Sequence, residues 1–293
     1  MAHIADLLAS GRTYSFEFFP PKTDEEQATL TRTLHELEPL RPSFVSVTYR
    51  GGPASRRRTF NVVTGMLHVT TLVPMAHLVC AGHRRLELAE ILVEYRRAGI
   101  ENLMALGGDP PADAEASPSE LAHAVELVEL ARVIGGFSIG VAAHPAGHPA
   151  SPDLASDRAF LAAKLELADF AVTQFFFDAD QYRGLVDDLD RRGMRKPVVP
   201  GIMPVTSLGS VGRMAQMGSP VPAWARERLE AAAAAGGDAA VRSEGVAMAT
   251  ELCQELLDAG APGLHFYTLN RSTATREIYR SLGLAPALPA AAG

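Results

Sequence analysis

The chain has 293 residues, of which 47% are hydrophobic and 21% are charged. That length suits one large α/β barrel or two small domains, and the composition is that of a globular protein with a full core. The net charge of -7 argues against nucleic acid as the main partner, because phosphate binding needs a basic face.

The two cysteines, Cys80 and Cys253, lie far apart and form no CxxC pair. This argues against a disulfide framework and a cysteine-based zinc site, and it fits a reducing cytoplasm. The opening MAHIADLLAS has no basic stretch followed by an apolar one, and no apolar run approaches the ~18 residues of a membrane span. The expectation is a cytoplasmic protein that neither spans a membrane nor binds nucleic acid.

Taken in chain order, short apolar, β-rich runs alternate with longer helical patterns. YSFEFF at 14–19 is the first run, FVSVTY at 44–49 the second and MAHLVC at 75–80 the third. A helix is expected over 86–98, with apolar residues at three- and four-residue spacing and Gly99 as its stop. NLMAL at 102–106 precedes a helix over 119–134, and FSIGVAA at 137–143 precedes one over 153–167. FAVTQFF at 170–176 precedes a helix over 180–192, and VVPGIM at 198–203 and GLHFYT at 263–268 complete the set. Between these last two, residues 204–262 hold a helix around 224–235, a break at Gly236 and Gly237, and a helix over 241–259. This stretch is an insertion, not a second domain.

The runs are continuous rather than alternating, as expected of strands buried on both faces. Strand then helix, eight times, predicts an α/β fold of the (β/α)8 TIM-barrel type with an extended connection between strands 7 and 8. A dinucleotide-binding sheet would carry GxGxxG after an early strand, and none occurs. Residues 1–284 form the barrel in this scheme, and the Ala/Pro-rich tail over 285–293 is frayed.

In such a barrel the chemistry sits at the C-terminal ends of the strands. There the sequence places Glu17, Thr48, Tyr49, Gly107, Gly108, Asp109, His144, His148, Gln174, Tyr267, Asn270 and Arg271. Each has a plainer reading. Glu17 could face solvent at a rim, Asp109 could cap a turn, and Gln174 could satisfy a backbone group. His77 could be a hydrogen-bonded core histidine, and Arg271 a surface residue at a helix start. A carboxylate buried at Glu17 must be neutralised or paired, and the expectation is a raised pKa suited to general-acid work.

The ordered set SFEFFPPKT, FVSVTY, AHLVC, GDPP, FSIGVAA, TQFFFD, PGIMP and GLHFYTLNRS covers nearly the whole chain. Together these stretches resemble the methylenetetrahydrofolate reductase family. The resemblance implies reduction of 5,10-methylenetetrahydrofolate to 5-methyltetrahydrofolate with NADH, or NADPH, as electron source. It makes Glu17 the general acid that protonates N10 of the folate and Asp109 the group that supports positive charge near the pterin. It places Gln174, Tyr267, Leu269 and Arg271 on the folate. Thr48, Tyr49, His77, Gly108, His144, His148, Asp157 and Lys164 fall at its cofactor-contact positions.

The chain departs from the family's FAD shell. Gly107 stands where the family has the Arg of RGDPP, His144 replaces a tyrosine and Ala146 a glutamate. His123 replaces an aromatic, and Phe160 and Ala163 replace polar or basic residues. Glycine cannot bind a diphosphate as arginine does. The departures imply weak or absent FAD binding and direct hydride transfer from nicotinamide to folate. An ordinary flavoenzyme that uses Arg50 or Arg56 as the substitute cation, and a non-catalytic folate-binding paralogue, stay open. A binder would not need the acid Glu17. An aldolase-type Schiff base lacks a lysine central to any strand. Oligomeric state is not fixed by the sequence.

Overall fold

Eight strands close on one another in chain order, each parallel to the next and the last paired with the first. The computed structural model describes residues 1–49, 52–109 and 119–285; Arg50, the prolines of GDPP and nearly all of the tail lie outside them. A short helix α1 (Ile4–Ser10) precedes β1 (Thr13–Phe18), α2 (Asp24–Leu37), β2 (Phe44–Val47) and α3 (Pro53–Val69). Then follow β3 (Pro74–Val79), α4 (Arg85–Arg97), β4 (Asn102–Leu106), α5 (Ala124–Ile134), β5 (Ser138–Ala143) and α6 (Leu154–Leu167). The chain continues through β6 (Phe170–Phe175), α7 (Ala179–Arg191), β7 (Val198–Ile202), α8 (Val211–Gln216), α9 (Ala223–Asp258), β8 (Gly263–Tyr267) and α10 (Thr273–Ser281). This is a TIM barrel, with α8 and α9 forming the extended connection between β7 and β8. Among the described residues no helix is long and apolar enough to cross a membrane.

Two local departures from the sequence expectation have clear causes. The helix expected from residue 119 starts at Ala124, because the Glu126 carboxylate accepts the backbone N–H groups of Ala122 and His123, both at 2.8 Å. That bond caps the helix and leaves the preceding residues extended. The expected glycine break is present inside α9, where Gly236 and Gly237 leave helical geometry and Gly237 adopts φ +64°. Arg228 then reaches Glu244 at 2.6 Å and Glu251 at 2.8 Å across the break. A straight helix would hold residues sixteen apart about 24 Å from each other, so the two arms fold back on one another.

Alternate residues on each strand serve different packings. Phe16, Phe18, Val45, Val47, Ala76, Leu78, Leu264 and Phe266 join the large cluster against the outer helices. Phe44, Met75, Met104, Phe170, Val172 and Val199 fill the barrel interior together with Ile4 and Leu8 of α1. The strand–helix rhythm gave no hint of α1, which closes the N-terminal end. The unpaired N–H groups of its first turn find partners on the barrel floor: Ile4 N donates to Asn102 Oδ1 at 2.9 Å and Ala5 N to Ser138 Oγ at 3.0 Å. Asn102 Nδ2 donates in turn to Ala2 O at 3.0 Å. The N-terminal end is thereby occupied by α1, and the chemistry of such a barrel falls to the opposite end.

Asn102 is fully buried, and replacing it by Ala strands two backbone groups of the plug. Asn102→Ala should cost about 2 kcal/mol and lower Tm by roughly 4–8 °C. Turnover measured well below the transition should stay within twofold of the parent. An unchanged melting curve would show that α1 does not depend on this anchor.

Candidate active site at the C-terminal end of the barrel

Glu17 lies on β1 in register with Ser46 of β2 and Tyr267 of β8. Its side chain is 15% exposed, and three side chains from three neighbouring strands converge on its Oε2. Ser46 Oγ donates to it at 3.2 Å, His77 Nε2 of β3 lies 3.3 Å away, and His265 Nε2 of β8 lies 3.4 Å away. His77 is close enough for a charge contact but off the line of a hydrogen bond. Burial alone would raise the carboxyl pKa; the charge of His77, and the hydrogen bond and charge of His265, outweigh it together and pull the carboxyl down to about 2. The expected raised pKa is therefore wrong for this arrangement: the buried carboxylate is paired, not neutralised. His77, expected either as a lone core histidine or at a cofactor position, is a neighbour of the acid.

Tyr267 donates its hydroxyl to Thr173 O at 2.7 Å. Burial, and then the nearby Glu17 charge, holds its phenol well above the ordinary range. Its ring occupies space that Gly201 leaves open: a Cβ at Gly201 would lie 2.6 Å from Tyr267 Cε2 and 2.3 Å from Thr173 O. Gln174 is half-buried, and its amide donates to Met217 O at 3.0 Å, tying the end of β6 to the β7–β8 connection. The loop after β8 wraps the end of β1. Thr268 Oγ1 donates to Glu17 O, and Asn270 brackets Phe19 with two bonds of 2.9 Å. Leu269 and Asn270 adopt φ of 50° and 55°, which leaves Leu269 and Arg271 exposed at the rim.

The turn after β4 is built around Gly108. Its φ is +80°, and a Cβ there would lie 2.8 Å from Val79 Cβ, so only glycine fits. The turn ends on Asp109, which is exposed. Gly107 meets no such restriction, since a Cβ there has nothing within 4 Å.

The remaining sequence-predicted positions separate into groups. Thr48 is half-buried at the end of β2, whereas Tyr49 is buried in the outer layer with its hydroxyl 2.5 Å from His83 Nε2. Tyr49, expected at a cofactor position, has its hydroxyl engaged by His83. His144 and His148 meet edge to face at 4.6 Å after β5. Burial first, then His148 and Lys164, pull the His144 pKa down to about 4. Asp157 holds its own loop, accepting from His148 N at 3.0 Å and Ser151 Oγ at 3.2 Å, and it pairs with Arg158 at 2.9 Å. Arg158, which the sequence reading missed, is 2% exposed and also donates to His144 O and Pro145 O. Lys164 donates to Ala142 O at 2.7 Å, and burial lowers its pKa to about 8. Asp157, expected at a cofactor, braces the loop after β5, and Lys164, expected there too, holds the end of β5 itself.

His265 and Ser46 were also missed. Period-two spacing from Tyr267 and from Thr48 would have placed both on the inner face.

The sequence profile of the methylenetetrahydrofolate reductase family matches residues 3–283. The 5,10-methylenetetrahydrofolate reductase of Salmonella typhimurium is 35% identical over 94% of this chain and 92% of its own. The chain belongs to the methylenetetrahydrofolate reductase family. Arabidopsis thaliana methylenetetrahydrofolate reductase (NADH) 1 is 34% identical over 96% of this chain and 50% of its own. Among solved structures, an uncharacterized Clostridium thermocellum protein that binds two copies of 5-methyl-5,6,7,8-tetrahydrofolic acid superposes with a TM-score of 0.64. It covers 96% of both chains at 12% identity, a likeness of fold alone.

Gly108→Ala tests the turn that presents Asp109. The left-handed backbone alone costs about 1–2 kcal/mol for a side chain, and the contact with Val79 adds to it. Chemical denaturation should register that loss, and turnover should fall at least tenfold as Asp109 shifts. A variant as stable and as active as its parent would show that the turn does not set Asp109.

Proposed function

We propose that the chain reduces 5,10-methylenetetrahydrofolate to 5-methyltetrahydrofolate, with hydride passing directly from NADH, or from NADPH, to the folate. The observation that carries the reaction is Glu17, a carboxylate held by side chains of three other strands at the mouth of a barrel in a chain of this family. Glu17 delivers a proton to N10 of the imidazolidine ring. The C–N10 bond breaks with its electron pair on N10, and the 5-iminium that results accepts hydride at the methylene carbon. Asp109 supports the positive charge as it develops. Gln174, Tyr267, Leu269 and Arg271 hold the folate. Thr48, His77, Gly108, His144 and His148 border the region assigned to nicotinamide.

The direct-transfer reading rests on the β4 and β5 ends of the barrel, where the family's FAD would be held. A diphosphate there needs a cation. Gly107 offers none, although the space beside it is open. Arg158 is buried and spent on Asp157, His144 O and Pro145 O, and Lys164 is bonded to Ala142 O. His144 lies in a setting that disfavours its charged form. These groups offer the diphosphate of a tightly held FAD no free cation.

The absorption spectrum of the purified protein and its steady-state kinetics test this together. The expected outcome is a colourless protein that turns over without added FAD and gives intersecting double-reciprocal lines. A flavin band at about 450 nm with parallel lines would establish the flavin shuttle instead. Glu17→Gln tests the acid: folate affinity should be kept while kcat falls by about 10²-fold or more. Turnover near that of the parent would remove Glu17 from the mechanism.

A further inference from the structure

A carboxylate held ionised by imidazoles has no proton to give unless a neighbour shares one with it. Among the described residues Ser46 from β2, His77 from β3 and His265 from β8 meet the Glu17 carboxylate, Tyr267 from β8 lies near enough to feel its charge, and Ser15 from β1 stands one step behind His265. His265 differs from the others in being fixed at both ring nitrogens. Its Nδ1 lies 2.8 Å from Ser15 Oγ, and its Nε2 faces Glu17 Oε2 at 3.4 Å and Ser46 Oγ at 3.5 Å. The ring stacks on Phe44 at 6.0 Å and 16°, and meets Tyr267 edge-on at 5.3 Å. It is 1% exposed. Phe44 of the interior cluster packs against one face of the ring, and Glu17 is the carboxylate that its Nε2 faces.

We infer that His265 is the positioning residue that stores and returns the proton Glu17 delivers. This rests on the folate-reductase reading above and assigns to it a residue that the resemblance left without a role. Ser15 sets the ring. Its hydroxyl donates to Leu264 O at 3.4 Å, which leaves its oxygen to accept Nδ1–H. The Nε2 lone pair of the neutral ring then points at Glu17 Oε2. One proton serves the pair in two forms, imidazolium with carboxylate or imidazole with carboxylic acid. The second form is the donor: the carboxyl proton moves to N10 as the C–N10 bond breaks onto nitrogen. Neutral imidazole and carboxylate remain, and a proton entering from solvent through the mouth restores the pair. His77 is a poorer partner, since its Nε2 makes no hydrogen bond among the described residues.

His265→Gln and Ser15→Ala test the assignment, the second keeping the buried ring in place should the first fold poorly. With His265→Gln, kcat at pH 7 should fall at least tenfold while the folate KM stays within twofold. The high-pH limb of kcat should move at least one pH unit toward acid. Ser15→Ala should shift the same limb in the same direction by less. A second readout needs no turnover: the ¹³C resonance of the Glu17 carboxyl should titrate with a higher midpoint in His265→Gln than in the parent, because one of the groups that lowers it is gone. An unmoved carboxyl midpoint overturns the pairing. A fall in kcat with an unmoved pH limb overturns proton storage and leaves His265 as packing. A parent protein that shows no folate turnover, yet whose carboxyl midpoint rises in the variant, overturns the folate reading and leaves the pairing standing.

Discussion

A carboxylate inside a closed barrel is costly to charge unless the surrounding strands supply partners, and much of this molecule is arranged around that requirement. The parallel register sets Glu17 opposite Ser46 and Tyr267, and Ser15 opposite His265. The same register therefore sets the acid, a hydroxyl and a phenol on one level, with an imidazole two residues below that reaches the acid. Beneath them lies a cluster of apolar side chains, and α1 packs below it with backbone groups that Asn102 and Ser138 satisfy. Above them the loops after β1, β4 and β8 carry the groups that a substrate would meet. Gly201 belongs to the same economy of space, since a methyl group there would evict the Tyr267 ring.

The strands were legible in the sequence because a parallel barrel buries both faces of each strand, and continuous apolar runs are the result. The same property hid the inner layer. In FVSVTY and GLHFYT the only mark on Ser46 and His265 is their period-two spacing from Thr48 and Tyr267, a short alternation within runs that are otherwise apolar. Glu17 was found because a charge in such a run is conspicuous. Its protonation was misjudged because the partners that decide it come from β3 and β8, about 60 and 250 residues away in the chain. Tyr49, Asp157 and Lys164 show the converse. Their types suggest a ligand, but each is engaged by a neighbour that only folding reveals: His83, Arg158 and the carbonyl of Ala142. The plug α1 was invisible for another reason. Seven residues with two buried side chains are too short a pattern to stand out.

The two sides of the barrel mouth differ in kind. The side formed by β1, β2, β3 and β8 is a network of mutually fixed polar groups around one carboxylate. The side formed by β4 and β5 is braced by its own bonds, with its arginine buried, its lysine bonded to a carbonyl and a glycine at the position where a cation would do most for an anion. On the proposed reading the first side performs the proton chemistry common to the family, and the second is where this chain differs from a flavin-holding relative.

The glycine break in α9 has a bearing on how the chain tolerates change. The two arms lie against each other through Arg228, Glu244 and Glu251, and the returning arm seats Gly245 against Val205 O. The tip over residues 234–239 is exposed throughout. Extra turns added in step to both arms would lengthen the hairpin without moving a barrel strand. The tip is thus a permissive insertion point, where a label, an affinity handle or a whole reporter domain can be carried while the barrel keeps its register.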